Sequence, residues 1–380
     1  MADKRFHWTD NLIIFVFFLS LYVLICRGTY YSMDEMARYG LTKTIVVEGD
    51  LSITSPEGES FPIPYPLLQS VLAVPLYALG EFLAGDAVAA VREQRGRFFV
   101  SLFNPIVTAL SCVVFFRLSL LLLNRRSLSL ILTLVFGLCT ITLPYSRMFL
   151  SEPLTGLLLL CAALSALSST RERPWGGIAS GLFLGLAAMN NYVALAAMGI
   201  FFVFFMCQSG GLKDALRIRA LMDIRLWGLL LFGAAAVAEG LWYNQVRFGS
   251  YFHSAYNYFD IPPNTVYPEG MDLFSYPILA GIYGFLLSPM RSVFLYSPPL
   301  IGALFLWPRF FREKGRTAIF LLSIPLLFLL VYSKWFGWHG GYAWGPRYLV
   351  PVVGFFLIPF AYLIEDFQRF RPLGGFSMSA

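Results

Sequence analysis

Apolar residues in this chain gather in long runs, not at the spaced positions of a half-buried helix or in the alternation of a strand. Runs near the roughly 17–25 residues that cross a hydrocarbon core fall at 11–26, 98–123, 128–144, 153–168, 175–190, 193–207, 226–243, 292–307, 317–333 and 348–364. They predict an all-α polytopic membrane protein with about ten transmembrane helices. No soluble stretch, internal repeat or low-complexity segment interrupts them, so one domain is expected over residues 1–380.

Three stretches depart from the pattern. Residues 33–47 read as an amphipathic helix, with Ser32 as N-cap and Asp34 and Glu35 in the first turn, where the helix dipole favours acids. Residues 64–83 are apolar enough to cross but carry Pro66, Gln69, Pro75, Gly80 and Glu81. If this segment lies flat, the basic loops at 125–126, 171–173, 213–225, 309–316 and 369–371 share one side with Lys4 and Arg5, which is the positive-inside pattern. If it crosses, the bias reverses. An amphipathic interfacial helix in the first outer loop is therefore expected. The N-terminus is then cytoplasmic, and residues 27–97, 244–291 and 334–347 form the outer loops. Residues 276–307 are too long for one crossing, at about 50 Å against a core of about 30 Å. Leu287-Ser288-Pro289-Met290-Arg291 supplies a break, after which the crossing resumes at Ser292.

Composition supports lipid as the solvent. The chain is 58% hydrophobic and 13% charged, with mean hydropathy +0.67, whereas soluble domains hold about a quarter charged residues. The net charge of +6 is spread between apolar spans and forms no single patch, so nucleic acid is not an expected partner. Cys26, Cys112, Cys139, Cys161 and Cys207 lie in or at the ends of apolar runs without a CxxC pair, which reads as membrane-core packing and not as a disulfide or zinc framework. Lys4 and Arg5 precede the first run as in a signal peptide, but no small-x-small cleavage site follows, so the segment is read as a retained helix.

Most carboxylates fall on the outer side, and candidate chemistry follows them. Asp34 and Glu35 sit just beyond the first span; they serve equally as helix-start acids or as a catalytic pair beside the membrane surface. Glu152 starts the fourth span next to Pro153, again either a first-turn acid or a functional group at the same depth. Trp335-Phe336-Gly337-Trp338-His339-Gly340-Gly341-Tyr342-Ala343-Trp344-Gly345-Pro346-Arg347-Tyr348 holds more than an aromatic belt requires. Its glycines permit close backbone approach to a ligand, and Arg347 offers a two-pronged phosphate contact. Lys334 and Arg291 add outer cations. Three histidines in all argue against a His-based zinc site. Glu239, inside the seventh span, is either functional or internally paired.

Taken in order, these residues resemble the GT-C superfamily of membrane glycosyltransferases. The likeness is to bacterial members grouped with protein O-mannosyltransferases and the lipid A aminoarabinose transferase. It rests on Asp34-Glu35 after the first span, the segment from Tyr65-Pro66 through Pro75-Leu76-Tyr77, and Tyr145-Ser146-Arg147 with Ser151-Glu152-Pro153. Tyr243-Asn244 with Arg247-Phe248-Gly249-Ser250 follow, then Ser288-Pro289-Met290-Arg291 with Tyr296-Ser297-Pro298. Trp338-His339-Gly340-Gly341 and Gly345-Pro346-Arg347-Tyr348 complete the set. Larger relatives have further spans and an extracytoplasmic C-terminal domain, which this sequence, ending soon after Ile364, is not expected to contain.

The resemblance implies an inverting enzyme of the plasma (bacterial inner) membrane. It would move a sugar from a polyprenyl-phosphate donor to an acceptor hydroxyl of a glycan, lipid or protein, on the extracytoplasmic face. Asp34, Glu35 and Glu152 would be its catalytic carboxylates, with Asp34 as base. Arg347, Lys334, Arg291, Arg147 and His339 would bind the donor phosphate. Tyr31, Tyr65, Trp338, Tyr342, Trp344 and Tyr348 would line the substrate site. Should Asp34 and Glu152 hold a divalent ion, oxygen ligands favour Mg2+ or Mn2+ over zinc. The competing reading is a polytopic transporter or lipid-linked-sugar flippase, whose usual repeated halves are not visible here.

Overall fold

The computed structural model describes residues 8–51, 53–54, 60–61, 65–208, 223–253 and 273–370. Lys4, Arg5, the basic residues at 213–219 and much of the 244–291 loop lie outside them. Apart from a two-residue antiparallel ladder, β1 (Ile53–Thr54) with β2 (Ser60–Phe61), the described chain is helical.

The amino-terminal half runs α1 (Trp8–Leu24), α2 (Met33–Val47), α3 (Leu68–Ala84), α4 (Ala89–Ser101), α5 (Phe103–Leu123), α6 (Arg126–Leu138), the single turn α7 (Thr142–Tyr145) and α8 (Ser151–Leu167). Then follow α9 (Trp175–Asn190), α10 (Val193–Gln208), α11 (Ile224–Phe248), α12 (Ile278–Leu286), α13 (Val293–Tyr296), α14 (Pro299–Lys314) and α15 (Arg316–Lys334). The last crossing begins as a 3-10 segment (Arg347–Val352), continues through α16 (Val353–Leu357) and a second 3-10 turn (Ile358–Phe360), and ends in α17 (Ala361–Phe370). Pro351 and Pro359 lack the N–H that an α-helix would use, which accounts for the tighter turns.

Local chemistry sets the ends of these helices. Ser32 caps α2 through a reciprocal capping box with Glu35, as its position predicted. Between α4 and α5, Pro105 has no N–H for the Ser101 carbonyl, and the Cys26 thiol donates to that carbonyl instead, at 3.6 Å. The two helices still form one apolar stretch, Ala89–Leu123. It starts earlier than the expected run at 98, and its charged first turns (Arg92, Glu93, Arg95, Arg97) extend beyond what a hydrocarbon core accommodates. The break expected at 287–291 is present between α12 and α13. A second one at Ser297-Pro298 delays the crossing to Pro299, and α14 then runs to Lys314.

Four helical stretches are long and apolar enough to span a membrane: Ala89–Leu123, Ile224–Phe248, Arg316–Lys334 and Arg347–Gln368. Shorter apolar helices, α1, α3, α6, α8, α9 and α10, fill the rest of the bundle. Most helices match or exceed the expected runs; the run at 128–144 is divided into α6 and α7, and the last crossing is broken by its prolines. The 17-residue α3 buries Gln69, Ser70, Ala73 and Tyr77 and turns Val71, Leu72, Leu79, Phe82 and Leu83 outward. That is an apolar outer face of the kind lipid covers.

Contacts divide the bundle into two rims. One joins Arg126 to Asp10, Arg125 to Glu365, Lys314 to the Leu122 carbonyl, Arg316 to the Cys207 carbonyl and Arg171 to Asp223. The other joins the ends of α1, α2, α8, α9 and α15 with the start of the last crossing. Among the described residues, those flanking the basic loops and those flanking the carboxylate-rich loops thus make two separate sets of contacts.

Helix α9 packs extensively along α11. Gly177, Gly181 and Gly185 recur one turn apart on α9, and a Cβ at Gly181 would lie 2.5 Å from the Gly228 carbonyl oxygen. Only a missing side chain permits that approach. Gly181→Val is expected to destabilise the protein by about 1–3 kcal/mol, seen as a lower Tm in detergent. Gly199→Ala, where nothing lies within 4 Å, should leave Tm unchanged or slightly raised.

Candidate active site

A cavity of about 260 Å³ opens on the second rim. Its polar end is built from α2, the start of α8, the end of α9 and the start of the last crossing. Asp34, Arg38, Ser151, Glu152, Asn190 and Arg347 line it there. Tyr65, Tyr192, Phe274, Tyr332, Trp335 and Tyr348 supply aromatic walls, with Tyr332 and Tyr348 stacked at 4.2 Å.

Asp34 lies in the first turn of α2. Arg347 Nη1 donates to its Oδ2 and the Tyr65 hydroxyl to its Oδ1. Burial alone would raise its pKa, but the Arg347 charge and the Tyr65 hydrogen bond outweigh it and hold the carboxyl below its ordinary range. Conversely, burial and the adjacent carboxylate push the Tyr65 phenol well up, so it remains a donor.

Arg347 bridges two acids. Its Nε donates to Glu152 Oε1 at 2.5 Å. The Glu152 side chain is 2% exposed while that of Asp34 is 24% exposed, so Asp34 is the carboxylate a substrate can reach. The second oxygen of Glu152 has no hydrogen-bond partner.

Arg38 was not anticipated. It follows Asp34 by four residues, which places both side chains on one face of α2. It is 2% exposed, lies 4.4 Å over the Tyr65 ring and donates through Nη2 to Ser151 Oγ at 3.2 Å. The signal was present in the helical spacing, but an exposed i,i+4 salt-bridge partner reads the same way. Asn190 was also missed; its amide donates to the Ser151 carbonyl at 2.8 Å and to Thr155 Oγ1 at 2.9 Å.

Glu35 belongs elsewhere. Neighbouring residues on a helix point about 100° apart, so Asp34 and Glu35 cannot both face the cavity. Glu35 Oε2 accepts from the N–H groups of Tyr31 and Ser32 and from the Ser32 hydroxyl, and Oε1 accepts from Phe149 N–H at 2.9 Å. It is a buried clasp between α2 and the chain entering α8.

The other expected phosphate ligands do not line the cavity. Arg291 donates to the carbonyls of Gly341, Ala343 and Gly345, fixing the loop that presents Arg347. His339 Nδ1 accepts from Gly341 N–H at 3.1 Å, and burial with the Arg291 charge lowers its pKa. Lys334 ends α15, and Arg147 lies in the turn before α8. Among the expected lining residues, Tyr65 and Tyr348 reach the cavity. Tyr31 is exposed beneath Arg27, Tyr342 is fully exposed, Trp338 packs on Tyr276 and Phe285, and Trp344 packs edge-on against Tyr296. Glu239, on α11, is not among the lining residues. The glycine-rich stretch is thus mainly a shaped loop: Gly340, Gly341 and Gly345 all have positive φ.

A divalent ion is a poor fit. Among the described residues, no three His, Cys, Asp or Glu side chains converge as a metal-binding group. The Arg347 guanidinium stands between Asp34 and Glu152, where a shared magnesium or manganese would have to sit. The chemistry below uses side chains alone.

No protein-family model matches the sequence, and no curated protein matches it. Solved structures do. ArnT from Cupriavidus metallidurans in the apo state aligns over 94% of this chain and 60% of its own, with TM-score 0.61 and 15% identity. ArnT bound to undecaprenyl phosphate aligns over the same shares, with TM-score 0.56 and 13% identity. The archaeal oligosaccharyltransferase AglB from Archaeoglobus fulgidus, in complex with an inhibitory peptide and a dolichol-phosphate, aligns over 98% of this chain and 52% of its own, with TM-score 0.57 and 11% identity. The chain shares their fold and spans half to three-fifths of their length.

Glu35→Gln is expected to lower stability by about 1–3 kcal/mol, because an amide places N–H groups against backbone donors. The measurement is Tm in detergent; an unchanged Tm would remove the clasp.

Proposed function

We propose that this chain is an integral-membrane glycosyltransferase of the GT-C type, using a polyprenyl-phosphate sugar and inverting the anomeric carbon. One observation carries the reading: a reachable carboxylate and two guanidinium groups, from segments far apart in sequence, line a single aromatic-walled cavity. The undecaprenyl phosphate and dolichol-phosphate named in structures of the same fold support a lipid-phosphate donor. By the positive-inside rule, the basic loops assigned to the opposite rim support an extracytoplasmic cavity in a bacterial inner membrane. The acceptor is a hydroxyl of a glycan, lipid or protein.

In the reaction, the acceptor oxygen attacks the anomeric carbon from the face opposite the phosphate. The carbon–oxygen bond to phosphate breaks, its electron pair leaves with polyprenyl phosphate, and the acceptor proton passes to Asp34. The transition state is oxocarbenium-like, as in glycoside hydrolysis. The hydroxyl becomes strongly acidic only as its new bond forms, so a weak base suffices if it is ionised beforehand. Ion pairing with Arg347 keeps Asp34 in that state. No general acid is needed for a phosphate leaving group, and the cationic end of the cavity stabilises the charge it acquires. Tyr332, Trp335 and Tyr348 offer flat apolar faces to a sugar ring.

Asp34→Asn should lower the rate of polyprenyl phosphate release by about 10²–10⁴-fold. It should also lower Tm, because Arg347 loses one of its two acids; activity is compared below the variant's unfolding range. The assay is purified protein in nanodiscs with a panel of polyprenyl-phosphate sugars; an active Asp34→Asn protein removes Asp34 as base.

The depressed pKa of Asp34 sets a second expectation. Its carboxylate stays ionised as pH falls past the ordinary Asp value of about 3.9, so the acid limb of the rate profile lies below that value. The stability it contributes is present above the unfolded pKa and is lost as pH falls through the folded one. Tyr65→Phe removes a hydrogen bond to the charged form and should move the acid limb upward. An unmoved limb would detach Tyr65 from Asp34.

A further inference from the structure

The two guanidinium groups at the polar end are not equivalent. Arg347 has Nε and Nη1 engaged by carboxylates, one on each side. Arg38 is 2% exposed and lines the cavity, yet its Nε and Nη1 have no hydrogen-bond partner. A buried donor without an acceptor is costly, and a buried charged one more so. Arg38 does not collapse onto a carboxylate: Ser151 takes Nη2, and the Tyr65 ring faces the guanidinium. Burial also pulls its pKa below the ordinary arginine range, as expected for a cation whose charge is only partly compensated.

Resting on the glycosyl-transfer reading above, we infer that Arg38 is the direct ligand of the donor phosphate. One of its unpaired N–H groups donates to a phosphate oxygen, and its charge faces the phosphate. Arg347 is then a positioning residue, which holds Asp34 ionised and aimed while Glu152 balances its charge. The division follows from how the two groups are engaged: Nε and Nη1 of Arg347 are both taken by carboxylates, whereas Nε and Nη1 of Arg38, on different edges of its guanidinium, have no hydrogen-bond partner. It also separates the cationic and basic functions. The group that receives the leaving phosphate is not the group that tunes the base, so phosphate binding need not strip Asp34 of its counter-charge.

The test uses the full chain in nanodiscs of neutral lipid, with undecaprenyl phosphate and undecaprenol competing for binding as read by native mass spectrometry. The parent should prefer the phosphate, and Arg38→Gln should lower that preference about tenfold or more. Arg347→Lys should retain most of it. Tm without ligand gives an independent reading. Arg38→Gln should match or exceed the parent, because it removes donors that the fold does not satisfy; Arg347→Gln should fall below it, because two carboxylates lose their partner. If Arg38→Gln fails to fold, Arg38→Met decides: it keeps the apolar stem but removes the charge and every donor, so the preference should still fall about tenfold. Arg38 variants that keep the parent's preference, or a lower Tm with preference unchanged, would overturn the assignment and make Arg38 structural. A parent that does not distinguish undecaprenyl phosphate from undecaprenol would instead overturn the glycosyl-transfer reading, and the assignment with it.

Discussion

The ion pair that Arg347 makes with both Asp34 and Glu152 is the constraint on which the rest of the site depends. These groups come from the first turn of α2, the start of α8 and the start of the last crossing. All are at least partly withdrawn from solvent. A buried guanidinium with one acid removed leaves an uncompensated charge, typically costing about 3–5 kcal/mol. The three segments must therefore meet with their polar ends in register. Helices whose apolar surfaces could slide against one another are pinned at one depth by this contact.

A shell of neutral side chains makes that register specific. The chain entering α8 is held by Gln69, whose amide donates to the Leu150 carbonyl at 3.1 Å, and by Asn104, which donates to the same carbonyl at 2.9 Å. Glu35 takes the Phe149 N–H and Asn190 the Ser151 carbonyl. Residues on α2, α3, α5 and α9 thus converge on the few backbone groups preceding Glu152. On the facing side, Arg291 gathers three carbonyls of the 341–345 loop and sets the approach of Arg347. The most electrostatically demanding contact in the cavity rests on backbone hydrogen bonds made elsewhere.

Much of this was legible in the sequence, for identifiable reasons. Asp34, Glu152 and Arg347 were named because each stands beside an apolar run on the carboxylate-rich side, where a functional reading competes with a helix-start or belt one. The α2 boundaries followed from Ser32 and its capping box, a local motif that needs no tertiary context. Facing direction was harder to read. Adjacency suggested that Glu35 works with Asp34, but one helical step turns it away. Arg38, one full turn further, faces the cavity and looked like an ordinary surface partner. The glycine-rich stretch misled differently: glycines that admit a ligand and glycines that shape a loop have the same sequence, and here Gly345 meets the Tyr296 ring. Helix breaks were not legible from run length, since Pro105, Ser297-Pro298 and the prolines of the last crossing interrupt helices without lowering hydropathy.

The account's central claim is that one cavity holds the phosphosugar between a carboxylate on α2 and a guanidinium on that same helix. The most direct measurement is a structure of the full chain in a lipid nanodisc with a polyprenyl-phosphate sugar bound. The account predicts phosphate density against Arg38, with the anomeric carbon turned toward Asp34 and Arg347 still joined to both acids. Phosphate density at the opposite rim, or outside the cavity beside Arg291 and His339, would contradict it.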